Sequence, residues 1–302
     1  MDLRQLHYFA TVAERGGFGA AASALNIAQS ALSRHVKLLE QELGGALLVR
    51  GPRGVTVTES GKVLLARGRW LLGMLEDIKV EVRTENREPT GIVRLGAPSS
   101  LGDLFYAPLA RLFARRFPRV RLELSDGLTE RLIDLLLRAE LDMAVVTMPP
   151  PNDHLAYEVL VVEQVFLVGA AGDRLLKRGT LMRREFSRLP ASVQPLSRSF
   201  FPSKVPCVVR VESVTPMKQM VAGGLGYALL PFSGIHREVE EGTLSAARLP
   251  WMQAERVLAL PRGRPISSAG HEVVASLKEI CRELVGAGKI RTARQRERRG
   301  AM

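Results

Sequence analysis

The sequence predicts an α/β protein in two parts: short helices closed by a hairpin, then a long helix leading into a larger unit of alternating strands and helices. Three observations carry this. Apolar residues recur at helical spacing from Leu3 to about Leu43, with Gly and Asn at the stops. A stretch without proline runs from Glu59 to about Arg87, and beyond Gly91 strand-like and helical patterns alternate. With 302 residues the chain exceeds the usual domain of about 100–200, so it holds more than one core.

Leu3, Leu6, Ala10 and Ala13 share one helical face, and Gly16-Gly17 stops it. Ala20–Leu25 is a second, short helix with Gly19 as N-cap, turning at Asn26-Ile27-Ala28. From Ser30 to Leu43 a third helix sets Leu32, Val36, Leu39 and Leu43 along its back and Ser30, Ser33, Arg34 and Lys37 along its front. Two short helices joined by a tight turn, the second with an outward Ser, Arg and Lys face, form a helix-turn-helix whose second helix is sized for the DNA major groove. Leu47–Arg50 and Val55–Thr58 are strand-like around Gly51-Pro52-Arg53-Gly54, a wing with Arg50 and Arg53 placed for phosphate or minor-groove contact. The DNA-binding unit is thus 1–58.

Residues 59–88 form a linker helix with Leu64, Leu71, Leu75, Ile78 and Val82 at heptad-like steps. No other apolar segment stands nearby to cover it, so it is read as a dimerisation helix. Glu88-Pro89-Thr90-Gly91 breaks it and marks the domain boundary.

The remaining unit, 92–288, reads as strand 92–97, helix 104–117, strand 120–124, helix 129–138 and strand 142–147, a βαβαβ pattern that implies a parallel sheet. Strands at 159–168, 208–212 and 227–230 with a short helix at 216–222 make a second α/β unit, and a last helix at 269–285 returns to the first. Lobe 1 is about 92–164 plus 266–288, and lobe 2 about 165–265. Gly223-Gly224-Leu225-Gly226 follows a helix and precedes a strand, the reverse of a dinucleotide loop, and reads as a helix cap and turn. Glu238, Glu240 and Glu241 read as a solvated charged run.

Lys plus Arg number 43 against 31 Asp plus Glu, a net charge of +12 that favours an anionic partner. The densest basic block is the tail 289–302, with Lys289, Arg291, Arg294, Arg296, Arg298 and Arg299, given only an auxiliary role. Cys207 and Cys281 share no close spacing with each other or with any histidine, so neither a disulfide framework nor a metal site is expected. With no secretion signal and no apolar run near about 18 residues, the expectation is a soluble cytoplasmic protein without a membrane partner.

The stretches LRQLHYFATVAERGGFGAAASALNIAQSALSRHVKLLEQELG and LLVRGPRGVTVTESGK resemble LysR-type transcriptional regulators in order, spacing and chemistry. IVRLGAP at 92–98, LDMAVVT at 141–147 and VAGGLGYALLP at 221–231 resemble that family's effector domain more loosely. Within the family, IAQ and RGVTVTESGK are most like the nitrogen assimilation control type. The resemblance implies an α/β fold with a winged helix-turn-helix, a linker helix and a two-lobed effector domain of the periplasmic-binding-protein type II kind. It also implies a homodimer or homotetramer on double-stranded promoter DNA, a small-molecule effector, and RNA polymerase as a partner if the protein activates. Departures are Ser30, where the family often has Pro, and Ala28, where it often has a Ser or Thr cap.

For DNA, Arg34 is the base-reading candidate, because a guanidinium pairs bidentately with guanine O6 and N7. Ser30 is set to cap the helix or contact phosphate, Ser33 to touch a base or phosphate, and Lys37, Arg50 and Arg53 to neutralise phosphates; an ion pair to Glu40 or a neighbour is the competing reading of Arg34. For the effector, Ser99 and Ser100 lie between the first strand and its helix, where hydroxyls and free N–H groups at the carboxyl end of a parallel sheet suit an anion, especially a small carboxylate. Thr129 and Thr147 belong to the same sheet end, and Ser197 is a candidate from the second lobe. No cofactor is implied. A transport solute-binding protein would share 92–288 but carry a secretion signal and lack the N-terminal helices. An enzyme is the third class, and no GxSxG, Walker-type loop or HExxH is present while the five histidines are scattered.

Overall fold

The computed structural model describes residues 1–51, 54–83, 88–195 and 204–292. α1 (Leu3–Arg15) opens on a capping box between Asp2 and Gln5 and ends at Gly16, whose φ of 69° places it in the left-handed region. α2 (Phe18–Leu25) is capped by Gly17; Gly19 lies inside the helix, because the buried Phe18 anchors the first turn earlier than the alanine run suggests. Asn26 turns the chain at φ 53°, and α3 (Gln29–Glu42) starts after Ala28 without a side-chain cap. Leu32, Val36 and Leu39 of α3 meet Phe9, Val12, Phe18 and Leu47 in one core, each large side chain worth about 1.5–3 kcal/mol of transfer free energy.

β1 (Leu48–Gly51) and β2 (Gly54–Val57) form the antiparallel wing. α4 (Glu59–Arg83) follows. Its first half is covered by its own chain: Leu64 and Leu65 pack on the N-terminal core, and Gly68 sits so close to Leu6 that a Cβ there would crowd it. The expectation that nothing nearby covers this helix is therefore corrected for that half, while Ile78 beyond it is 47% exposed.

The larger unit runs β3 (Gly91–Ala97), α5 (Ser99–Arg116), β4 (Val120–Asp126), α6 (Thr129–Leu137), β5 (Met143–Thr147) and β6 (Leu155–Ala170). It continues through α7 (Arg183–Phe186), β7 (Ser192–Pro195), β8 (Cys207–Val211), α8 (Val214–Ala222), β9 (Ala228–Pro231), α9 (His236–Glu240), β10 (Leu244–Pro261) and α10 (Ser268–Gly286). The main sheet has the order β4-β3-β5-β10-β6-β9, and β7 pairs β8 separately. β3 is parallel to β4 and β5 as expected, but β10 is antiparallel to β5 and β6, and β9 to β6, so the sheet is mixed.

β6 and β10 pair from Leu155–Pro261 at one end to Ala170–Leu244 at the other, and so run through both lobes. Between Arg248 and Gln253 the register shifts, and the buried amide of Gln164 donates there to the carbonyls of Leu249 (2.6 Å) and Met252 (3.0 Å), satisfying groups the ladder leaves open. In lobe 1, α5 and α10 pack Leu101, Phe105, Leu109, Val273 and Leu277 on one face of the sheet, so the last helix does return there. Lobe 2 has its own core of Phe166, Val168, Met217, Val221, Leu230 and Ile235. Gly223 ends α8, and Gly224 and Gly226 turn with φ 81° and 144°, the cap and turn expected. Glu238 is not a free surface charge, since it pairs with Lys218 of α8. No helix among the described residues is long and apolar enough to cross a membrane.

Candidate functional site

On the N-terminal unit the burial of Leu32, Val36 and Leu39 turns the opposite face of α3 outward. Ser30, Arg34 and Lys37 are exposed along it and Ser33 is half-buried. Glu40, the alternative partner for Arg34, is occupied: one carboxylate oxygen accepts from the backbone N–H of Leu47 (2.8 Å) and of Leu48 (3.1 Å), fastening the wing to α3. Arg50 of β1 lies on the helices too, its Nη2 donating to Ser33 Oγ at 2.9 Å and its guanidinium carbon 4.4 Å from the centre of the Phe18 ring. Behind the hairpin, Val55 N–H donates to Gly16 O at 2.8 Å, and Gly54, at φ 120°, lies where a Cβ would strike that same carbonyl. Arg53 lies outside the described residues.

In the larger unit, β3 and β5 end side by side and deliver the start of α5 and Thr147 to one place. Ser100 is buried at the second position of α5, Ser99 is half-buried at its first, and Thr129 opens α6. Thr129 Oγ1 accepts from Thr147 N–H (3.0 Å) and donates to Thr147 O (3.1 Å), so its hydroxyl pins the end of β5.

Between Ser100 and Thr147 stands Arg256, 3% exposed. Its Nη1 donates to Thr147 Oγ1, and its Nη2 to Ser233 Oγ at 3.2 Å and, at the outer limit of 3.5 Å, to Ser100 Oγ. Its Nε donates at 2.6 Å to Glu163, which is fully buried and also accepts from the hydroxyl (3.0 Å) and the backbone N–H (3.3 Å) of Ser233. Pairing and five further hydrogen bonds satisfy two charges that burial alone would make very costly. The cluster joins Ser100 and Thr147 of lobe 1 to Ser233, which follows β9 of lobe 2, across the strands that link the lobes.

The chain's last described residues reach the same place. Gln164 N–H donates to Arg291 O at 2.8 Å, and the Arg291 guanidinium lies 3.6 Å from the Phe232 ring centre. Cys281 of α10 is buried nearby, and burial, with the Glu163 carboxylate adding to it, pushes its thiol up to about 11. Of the residues expected in the cleft, the structure unites Ser100 and Thr147 around Arg256, leaves Ser99 at the rim, and commits Thr129 to Thr147; Ser197 lies outside the described residues.

Glu163, Gln164, Ser233 and Arg256 escaped the sequence reading. Glu163-Gln164 interrupts an otherwise apolar strand, VLVVEQVFLVG, and Arg256 opens RVLALP in the same way. A charge inside a fully buried strand is the signal that was there to be read.

Two family models match the chain: a bacterial regulatory helix-turn-helix protein of the lysR family over residues 3–62, and a LysR substrate binding domain over residues 86–282. The HTH-type transcriptional regulator BbuR of Bordetella bronchiseptica is 30% identical over 260 residues, 83% of this chain and 80% of the relative. The nitrogen assimilation regulatory protein nac of Klebsiella aerogenes is 31% identical over 243 residues, 77% of this chain and 79% of its own. In three dimensions the chain is similar to a full-length OxyR variant from Pseudomonas aeruginosa, with a TM-score of 0.73 at 22% identity over 93% of this chain and 95% of that one.

Proposed function

The chain belongs to the LysR family of bacterial helix-turn-helix regulators, and from that premise we propose how its two sites divide the work. It is a DNA-binding transcriptional regulator with an effector-binding domain, and not an enzyme. Arg34 reads a base edge and Lys37 neutralises a phosphate, with Ser30 contacting the backbone at the start of α3. This reading is supported by their shared exposure on a helix whose other face is buried, and by the engagement of Glu40 elsewhere.

The effector is a small carboxylate held between the lobes at Ser99, Ser100 and Thr147. The observation that carries this is the convergence of Ser100 and Thr147 on Arg256: a hydroxyl oxygen that accepts from a guanidinium keeps its own hydrogen to donate, and two such donors suit a carboxylate oxygen. Because Ser233 of lobe 2 shares the same guanidinium, a ligand competing for it alters the contact between lobes, which is the differential interaction an effector needs to shift a population. The active form is a homodimer or homotetramer joined through α4, the exposed Ile78 face supporting the contact. The protein acts in the cytoplasm and contacts RNA polymerase where it activates.

The test is a footprint of the full chain on duplex DNA selected from a random pool, repeated with a panel of small carboxylates and their amides. A discrete protected site whose extent changes with a carboxylate and not with its amide supports the reading. A protected site that responds to the amides and not to the carboxylates overturns the anionic effector.

A further inference from the structure

Arg50, expected to neutralise a phosphate, is exposed, and on the surface of the domain its guanidinium also rests on the ring of Phe18 at the start of α2 and donates to the hydroxyl of Ser33 in the middle of α3. Three pieces of the DNA-facing surface thus meet in one side chain: the wing strand β1, the N-terminus of α2 and the outward face of α3. The other end of β1 is held to α3 through Glu40, so the strand is registered on the recognition helix at both ends.

The polarity of the Ser33 contact matters. A guanidinium only donates, so Ser33 Oγ accepts from it and the serine hydroxyl hydrogen is left to point away from Arg50. An unrestrained serine hydroxyl turns its hydrogen in any direction; one whose oxygen accepts from an arginine on the wing side has that hydrogen turned away from the wing, which favours donation while one lone pair stays open. In the major groove, guanine N7 and O6, adenine N7 and thymine O4 accept hydrogen bonds, whereas cytosine N4 and adenine N6 donate them.

We propose that Arg50 is a positioning residue for DNA reading: by holding one lone pair of Ser33 Oγ it turns the hydroxyl hydrogen away from the wing and biases it to donate, so that α3 favours an acceptor edge, guanine or thymine, at the base facing Ser33. Phe18 holds the guanidinium in place through its face, and lysine cannot substitute, since an ammonium has neither the planar fork nor the same stacking on the ring. The inference rests on α3 being the helix that enters the groove and adds what sets its selectivity at one position.

The experiment repeats the selection from random duplex DNA with the full-length wild type and the Ser33→Ala, Arg50→Lys, Arg50→Ala and Phe18→Leu variants, each first shown to melt cooperatively. In the wild-type motif one position is expected to disfavour cytosine. Ser33→Ala and Arg50→Lys should both relax that position, by about fivefold or more, while Phe18→Leu relaxes it less. The double variant S33A/R50K should be no more relaxed than either single one, since both act through one hydroxyl. Salt dependence separates the alternatives: loss of a phosphate contact lowers the slope of log affinity against log salt by about one, and loss of a positioning contact does not. The proposal is overturned if Arg50→Lys selects the wild-type motif, if Ser33→Ala and Arg50→Lys relax different positions, or if Arg50→Ala keeps the motif and loses one unit of salt slope.

Discussion

Glu163 and Arg256, 93 positions apart in the chain, meet at 2.6 Å where the strands carrying them pass from one lobe to the other, with 0% and 3% of their side chains exposed. Removing one partner leaves the other charge buried and uncompensated. Glu163→Ala or Arg256→Ala should therefore cost about 3–5 kcal/mol in urea unfolding of the full chain. The double replacement E163L/R256M should cost much less than the sum, and two costs that simply add would show that the pair is not coupled.

On the DNA side, Arg34 is exposed on a helix whose apolar face it does not touch. Arg34→Ala should leave the melting temperature unchanged and lose about 1–3 kcal/mol of discrimination at one base pair, seen as a flattened position in a selected motif. Lys37→Ala should instead weaken binding to all sequences alike. An unaltered motif with Arg34→Ala sinks the base-reading assignment.

The two thiols differ by environment. Cys207 is exposed, while Cys281 is buried with its thiol raised to about 11, so at pH 8 only about 0.1% of it is thiolate. A thiol reagent should label one cysteine quickly in the native protein and the second only after denaturant is added. Rapid labelling of Cys281 in the native state would mean that α10 opens from the lobe readily.

Asp142 is exposed to solvent and accepts the backbone N–H of Arg94 at 2.7 Å, yet partial desolvation by the atoms crowded around its carboxyl raises it from its ordinary value. The folded state then holds this proton more tightly than the unfolded chain. Ionised Asp142 subtracts stability at neutral pH, and the loss fades as pH falls through the raised folded value toward the unfolded one near 4. Asp142→Asn, which still accepts from Arg94, should be the more stable protein at pH 7, with the gap closing as the solution is acidified toward pH 4. A gap independent of pH would assign the effect to packing.

Gly61, in the first turn of α4, lies so close to β1 that a Cβ would collide with the carbonyl oxygen of Leu47 and crowd Val57. Gly61→Ala should cost about 1–3 kcal/mol, the range for overpacking a filled site, and loosen the wing from the linker helix. Wild-type stability in that variant would show that α4 shifts freely on the wing.

Legibility in the sequence tracked the reach of the interaction. The N-terminal helices were readable because Leu32, Val36 and Leu39 fall at helical spacing and Gly16 and Asn26 supply left-handed stops, all within a few residues. β3 and β5 were readable as short apolar runs between turn signals, and β4 from the alternation of Val120, Leu122 and Leu124 with outward Arg121 and Glu123. β10 was not: its 18 residues hold Pro250 and a register shift, and they present Arg248, Gln253, Glu255 and Arg256 without a steady period of two. With β10 unread, its pairing with β6 was out of reach, and so was the cluster at the cleft floor. Ser100 and Thr147 were found from their place at strand ends, whereas Arg256 acquires its role only when two strands distant in sequence lie side by side.

Since β6 and β10 pair from one lobe into the other, interrupted only by register shifts after Arg248 and Arg256, the lobes are joined by paired backbone instead of by loops. Such a joint has little unpaired backbone to bend, and that little lies at the register shifts. Any relative movement must be a twist distributed over two hydrogen-bonded strands, small in angle and felt along their whole length. It follows that lobe 2, whose sheet sets only β9 beside the far halves of these strands, has no independent existence: excised, it would lack the register that lobe 1 imposes, so the two lobes should be synthesised, folded and inherited as one piece.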